Sequence, residues 1–179
     1  MASFDELVMK YKDKIFNLCY NFLGSESEAE DMAQDVFVKV YHSLKSFKGL
    51  SLFSTWLYRI TVNTCKNRLS SLSFRRTQKQ FSLNQPKSID DTHSIEISDM
   101  NFSPSQEAER KETLCFIRNA IRSLPITMQT LIILRDFENK SYEEIMDLTG
   151  LKLGTLKSKL ARAREKLRSK LQEVLNFEM

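Results

Sequence analysis

The sequence predicts an all-α protein of two small helical domains joined by a flexible linker, the N-terminal one of three to four helices and the C-terminal one of four helices with a helix-turn-helix. Three observations predict it. Only 4 Gly and 3 Pro among 179 residues leave little material for a turn-rich β architecture. Apolar residues recur at steps of three and four at both ends of the chain, the spacing of helices with one buried stripe. Between the ends, from about Ser73 to Ser105, that pattern fails: Ser, Asn, Gln and Asp dominate, and Pro86 and Pro104 punctuate. The boundaries read as 1–72 for the N-terminal domain, 73–108 for the linker and 109–179 for the C-terminal domain. The two domains are expected to pack on each other weakly or through a third partner.

Phe4, Leu7, Val8, Tyr11, Ile15, Leu18, Cys19 and Phe22 form one stripe of a long first helix, and Gly24 ends it. Ser25 and Glu28 have capping-box spacing before a second stripe of Ala29, Met32, Val36, Phe37, Val40, Leu44 and Phe47. After a short loop around Gly49, a third helix spans about Ser54 to Leu72, with Trp56, Leu57, Ile60, Cys65 and Leu69 inward. Periodicity returns at Leu114, Ile117, Ala120 and Ile121. Pro125 then opens a helix running through Phe137, a place that tolerates its missing N–H. Ser141 and Glu144 make a second capping box for a short helix closed by Gly150, and a last long helix runs from about Gly154 to Val174.

The net charge of +4 is mild, but it is segregated along the chain. Glu26 to Asp35 holds five acids and no base, Lys66 to Ile89 six bases and no acid, and Asp90 to Glu109 six acids and no base. Lys152 to Lys170 carries eight bases against the single acid Glu165. Such blocks suit separate partner surfaces, at least two of them matched to a polyanion. The linker acids Asp90, Asp91, Glu96 and Asp99 either mimic nucleic acid or only keep a tether solvated.

Cys19, Cys65 and Cys115 are scattered and lie near neither His42 nor His93, so neither a metal site nor a cofactor is expected. There is no Gly-rich phosphate loop and no nucleophile with a local base, which argues against an enzyme and a small-molecule substrate. The longest aliphatic run, Leu131 to Leu134, is far too short for a membrane span, and a cytoplasmic protein is expected.

The segment SYEEIMDLTGLKLGTLKSKLARAREKL, Ser141 to Leu167, has the short helix, Gly turn and longer helix of a helix-turn-helix. At 3.6 residues per turn, Leu156, Leu160, Ala163, Leu167 and Leu171 share one face of the second helix. Thr155, Ser158, Lys159 and Arg162 fall on the opposite face, near the end that reads bases, while Lys157, Arg164, Lys166 and Arg168 flank the stripe within reach of phosphates.

RSLPITMQTLIILRDFENKSYEEIMDLTGLKLGTLKSKLARAREKLR closely resembles the C-terminal DNA-binding domain of the extracytoplasmic-function (ECF) sigma factors of the sigma-70 family. EAEDMAQDVFVKVYHSLKSFKGLSLFSTWLYRITVNTCKNRL resembles the same family's N-terminal domain, in the same order and spacing. The resemblance implies a subunit that binds core RNA polymerase, on the β′ clamp helices and β flap, and recognises the −10 and −35 elements of promoter DNA. It also implies an anti-sigma factor as a further partner.

Residue by residue, the resemblance places Asp31, Gln34, Asp35 and Lys39, a polar strip behind the second stripe, on the polymerase. Asn63, Lys66, Asn67 and Arg68 would meet the −10 strand, with Phe47 and Phe53 placed to stack or wedge near a flipped base. Arg135, Lys157, Ser158 and Arg162 would contact the −35 element, alongside Thr155 and Lys159. The chain departs from the family pattern at Lys159, where Arg is usual, at Lys152, where Pro is common, and at Ile126 to Gln129. Lys cannot form the Arg fork, which leaves the base preference open. A stand-alone helix-turn-helix regulator, or a decoy that sequesters an anti-sigma factor, are the competing classes.

Overall fold

The computed structural model describes residues 4–71 and 104–175, with side chains for 4–71 and 113–172. The linker acids Asp90, Asp91, Glu96 and Asp99 lie outside the described residues. All regular structure among those described is helical: α1 (Phe4–Leu23), α2 (Glu26–Ser43), a 3-10 turn (Leu44–Ser46) and α3 (Phe53–Ser70) precede α4 (Pro104–Arg122), α5 (Ile126–Ile132), α6 (Tyr142–Thr149) and α7 (Leu153–Leu175). A π-helical turn, Ile133–Phe137, continues α5.

The first three helices pack mutually around Ile15, Leu18, Phe22, Val36 and Leu57, all fully buried. Gly24 ends α1 at φ +74°, a left-handed conformation that favours glycine. At the start of α2 the Ser25 hydroxyl accepts from the Glu28 N–H at 3.4 Å. Glu28 itself reaches towards Arg68 of α3 at 3.9 Å.

In the C-terminal half α7 is the spine, packed against α4, α5 and α6 through Leu156, Leu160 and Ala163. The capping box of α6 is complete: Ser141 Oγ accepts from Glu144 N at 3.1 Å, and Glu144 Oε2 accepts from Ser141 N at 2.8 Å. Gly150, at φ +71°, caps its end with a hydrogen bond to Met146.

The expectation of weakly packed domains differs from the structure, in which one apolar cluster runs through both halves. α3 touches α5 and α6, while α1 touches α4 and the π turn. The joint is also polar. Gln129 donates to the Phe22 carbonyl at 3.0 Å, and Arg59 donates to the Asp147 carbonyl. The Glu138 carboxylate accepts from Asn21 Nδ2 and from the Tyr58 hydroxyl, each at 3.2 Å. Arg118 stacks 4.8 Å from the Tyr20 ring and Lys140 lies 4.3 Å over Tyr58. The sequence concealed this joint because α3 buries two faces, so Tyr58, Thr61 and Val62 go inside beside Leu57 and Cys65.

The backbone hydrogen bond from Ser141 holds the Glu144 carboxyl below its usual 4.5. A lowered acid contributes its stabilisation above the unfolded value and loses it as pH falls through the folded one. Glu144→Ala, which removes the acceptor of that bond, should therefore cost about 1 kcal/mol at pH 7. In urea melts that difference should shrink as pH is lowered below 4.5; a difference independent of pH would contradict the capping role.

Candidate nucleic-acid interface

Two surfaces combine exposed polar side chains with bases. On α3, residues 59, 63, 66 and 67 fall along one side of the helix. Asn63, Asn67 and Arg68 are exposed and Lys66 is half-buried. Arg59 belongs to the same strip and is exposed, yet its guanidinium is engaged with the Asp147 carbonyl across the joint. The Arg68–Glu28 contact at 3.9 Å is solvent-exposed on both sides and weak enough to yield to a phosphate.

Before α3, Phe47 and Phe53 are half-buried and packed on one another edge to face, with centroids 5.7 Å apart. Trp56 closes the cluster at 5.0 Å from Phe47 and 5.6 Å from Phe53, and Tyr11 backs it at 5.7 Å from Phe53. The cluster braces the loop against α1 and α3. The apolar side chains that project from the loop are Leu50 and Leu52, 90% and 75% exposed. Neither was singled out from sequence, because isolated leucines in a short loop carry no periodic signal.

The second surface is α7. Thr155, Lys157, Ser158 and Arg162 are exposed, with Ser158 and Arg162 on the side away from Leu156, Leu160 and Ala163, whereas Lys159, three residues after Leu156, is half-buried beside the apolar stripe and not opposite it as expected. Ser158 Oγ donates to the Thr155 carbonyl at 3.0 Å, and Lys157 lies 5.8 Å from the Tyr142 ring. Arg135 is placed otherwise. It donates to the Lys140 carbonyl at 2.7 Å and stacks 4.9 Å over Tyr142, so it fastens the turn leading into α6. Arg164, nominated for phosphate, pairs with Asp136 of the π turn.

On α2, Asp31, Gln34, Asp35 and Lys39 are exposed as a strip. Lys39 donates to Thr64 Oγ1 at 3.3 Å, which ties the strip to α3. Two apolar residues join this face unannounced, Val38 at 55% and Tyr41 at 62% exposed. Among the described residues no cluster of His, Cys, Asp or Glu is arranged to hold a metal, and no helix is long and apolar enough to cross a membrane.

A helix-turn-helix whose second helix presents hydroxyls and bases, and a separate helix with an exposed amide-rich strip, define a two-domain DNA-binding protein. The sequence matches the Sigma-70 region 2 family over residues 7–75 and the Sigma-70 region 4 family over residues 117–167. It is 36% identical over 173 residues to the RNA polymerase sigma-H factor of Pseudomonas aeruginosa, covering 97% of this chain and 88% of that protein. The ECF RNA polymerase sigma-E factor of Escherichia coli is 33% identical over 174 residues, covering 97% and 88%. The chain belongs to the ECF sigma factors of the sigma-70 family, proteins of transcription initiation.

Two solved structures share the fold. One is the sigma factor RpoE with the anti-sigma factor NepR from Bartonella quintana, at TM-score 0.65, 21% identity and 94% and 96% coverage. The other is CnrH with the cytosolic domain of CnrY, at TM-score 0.64, 22% identity and 95% and 88% coverage.

Phe53→Ala should lower stability by about 2–4 kcal/mol in a denaturant melt, as loss of a packed aromatic does. Leu50→Ala, which removes an exposed side chain, should change the melt by less than about 0.5 kcal/mol. Equal effects would show that the aromatic cluster is not the brace of the loop.

Proposed function

We propose that the chain directs core RNA polymerase to its promoters by reading two elements with two separate surfaces. The observation that supports this best is the face of α7 bearing Ser158 and Arg162, flanked by Thr155 and Lys157, exposed around the side opposite an apolar stripe that fixes the helix in its domain. In this reading α7 enters the major groove at the −35 element, where Arg162 or Lys157 meets guanine acceptors and Thr155 and Ser158 meet base edges or phosphates. Lys166 and Arg168, exposed on the flanks, add sequence-independent attraction.

The α3 strip takes the −10 element as single strand. Asn63 and Asn67 offer paired donors and acceptors to unstacked base edges, while Lys66 and Arg68 neutralise backbone. The loop braced by Phe47 and Phe53 lies at the start of that strip and holds an extruded base. Asp31, Gln34 and Asp35, with Val38 between them and Lys39, form the polymerase-binding face of α2, received by the β′ clamp helices, and the C-terminal domain rests on the β flap. An anti-sigma factor completes the partner set, a reading supported by the fold neighbour from Bartonella quintana described with such a partner.

Charge reversal at Asp31 and Asp35 should weaken a core-polymerase pull-down with an unchanged circular-dichroism melt; undiminished binding would remove this face from the account.

Asn63→Ala should leave duplex binding by the holoenzyme nearly intact and reduce permanganate-detected strand opening. Arg162→Ala should weaken duplex binding by about 1–3 kcal/mol, with the loss confined to the −35 half. Lys166→Ala should weaken all sequences alike and make the salt dependence shallower. If Asn63→Ala and Arg162→Ala lowered duplex binding equally with no extra defect in opening, a stand-alone regulator would explain the chain better.

A further inference from the structure

Away from both reading surfaces, the core of the N-terminal domain holds two nucleophiles that the proposed function leaves unused. Cys19 of α1 and Cys65 of α3 are free thiols, fully buried and 46 positions apart in sequence. Their sulfurs nevertheless meet, Cys65 Sγ donating to Cys19 Sγ at 3.8 Å. Cys115, half-buried on α4, instead accepts from Asn119 Nδ2 at 3.7 Å.

Two thiols in contact can hold a soft metal ion as thiolates or join as a disulfide, and the surroundings choose between these. Both sulfurs belong to the apolar core cluster. The contact with Cys65, together with burial, pushes the Cys19 thiol above its usual range, so a pair of thiolates is disfavoured there. A disulfide is neutral and leaves no buried charge.

We propose that Cys19 and Cys65 form an oxidative modification site, closed to an intramolecular disulfide by a small-molecule disulfide, and that the new bond draws α3 out of its reading position. During a transient separation of α1 and α3, the Cys65 thiol gives its proton to solvent and its thiolate attacks one sulfur of the oxidant. The oxidant's S–S bond breaks and one small thiolate leaves, taking up a proton. Formation of this mixed disulfide removes the contact that most raises the Cys19 thiol. The Cys19 thiolate then attacks Cys65 Sγ, forming the protein disulfide and releasing the second small thiol. Two protein S–H bonds are exchanged for two small thiols, so the chain loses two electrons and the oxidant gains them.

A disulfide sets its sulfurs about 2.05 Å apart, so the pair must approach by about 1.8 Å. Leu18 and Phe22 of α1 and Leu57 and Val62 of α3 are buried along the same helices, and a close-packed core transmits such a shift. Cys65 stands between Thr64, which accepts from Lys39 of α2, and Lys66 of the reading strip, with Asn63 and Asn67 two positions to either side. The effect on DNA, unlike the bond itself, rests on the −10 reading proposed above.

The test uses the full chain with Cys115→Ser, which leaves the pair as the only thiols, alongside the same chain with Cys19→Ala or Cys65→Ala added. Excess oxidised glutathione, applied to the folded parent, should remove both titratable thiols and lower the mass by two hydrogen atoms with no adduct. One linked peptide should contain Cys19 and Cys65, and dithiothreitol should reverse the change. Neither alanine variant should lose mass. Emission from Trp56, the single tryptophan and a residue of α3, should shift on closure in the parent alone. With core polymerase and promoter DNA, closure should lower permanganate-detected strand opening several-fold, while Cys65→Ala opens equally before and after treatment. Two thiols still free, or a glutathione adduct left unresolved on either cysteine, would overturn the site. A closed bond with unchanged Trp56 emission or unchanged opening would overturn the displacement of α3. If Cys65→Ala lost its helical circular dichroism, Cys19→Ala would serve as the control. A failure of the sigma reading would appear instead as absent opening in the reduced parent, with the thiol loss and the Trp56 shift intact.

Discussion

Much of the C-terminal domain, and its relation to the N-terminal one, depends on how ten residues from Ile133 to Tyr142 are folded. The π-helical turn widens the end of α5, and Asn139 follows with φ +51°, a left-handed conformation that Asn tolerates better than most residues. That geometry sends successive side chains in different directions. Arg135 turns back onto the Lys140 carbonyl and the Tyr142 ring, Asp136 reaches Arg164 of α7, and Glu138 crosses to Asn21 and Tyr58. Lys140 bonds Glu144 at 3.1 Å within the capping box of α6. One short segment thus sets the pose of the helix-turn-helix and the docking of the two domains together. A change there moves both.

The helices were legible in the sequence because each buries one main stripe and is closed by local chemistry. Ser141 and Glu144 form the reciprocal cap that their spacing announces, Gly24 and Gly150 end helices in left-handed conformations, and Leu156, Leu160 and Ala163 are buried as the 3.6-residue period requires. The exposed sides of α7 and α2 followed from the same arithmetic. What was not legible depends on residues far apart in sequence. Glu138 reads as a loop acid, and nothing local reveals that Asn21, 117 positions away, donates to it. Tyr58 and Val62 look like an off-stripe face of α3 until α5 and α6 cover them. Arg135 and Arg164 resemble free bases by residue type, but their pairing with Lys140 and Asp136 is decided by the π turn. Ser25 and Glu28 form half of the expected box: the Ser25 hydroxyl accepts from the Glu28 N–H, while the Glu28 carboxylate lies 3.9 Å from Arg68.

The charge blocks acquire meaning from this arrangement. The acids at the start of α2 sit on the exposed strip proposed for the polymerase, and the bases of α7 sit around the face proposed for the duplex, so the surfaces have opposite sign and different partners. Holding them together in the free chain and apart on a promoter would make DNA reading conditional on assembly.

The separation of the domains is the point at which fold and function meet, and one distance measures it. Dyes introduced by unnatural amino acids at the exposed positions Ser27 and Glu165 report on the N-terminal domain and α7 without disturbing the proposed contacts. Single-molecule energy transfer should show one population in the free chain, shorter than the about 40 Å breadth of a compact molecule. On core polymerase with promoter DNA it should shift to a separation beyond about 60 Å, as two elements about 85 Å apart along the duplex require. A distance that is the same in the free chain and in the promoter complex would contradict the account.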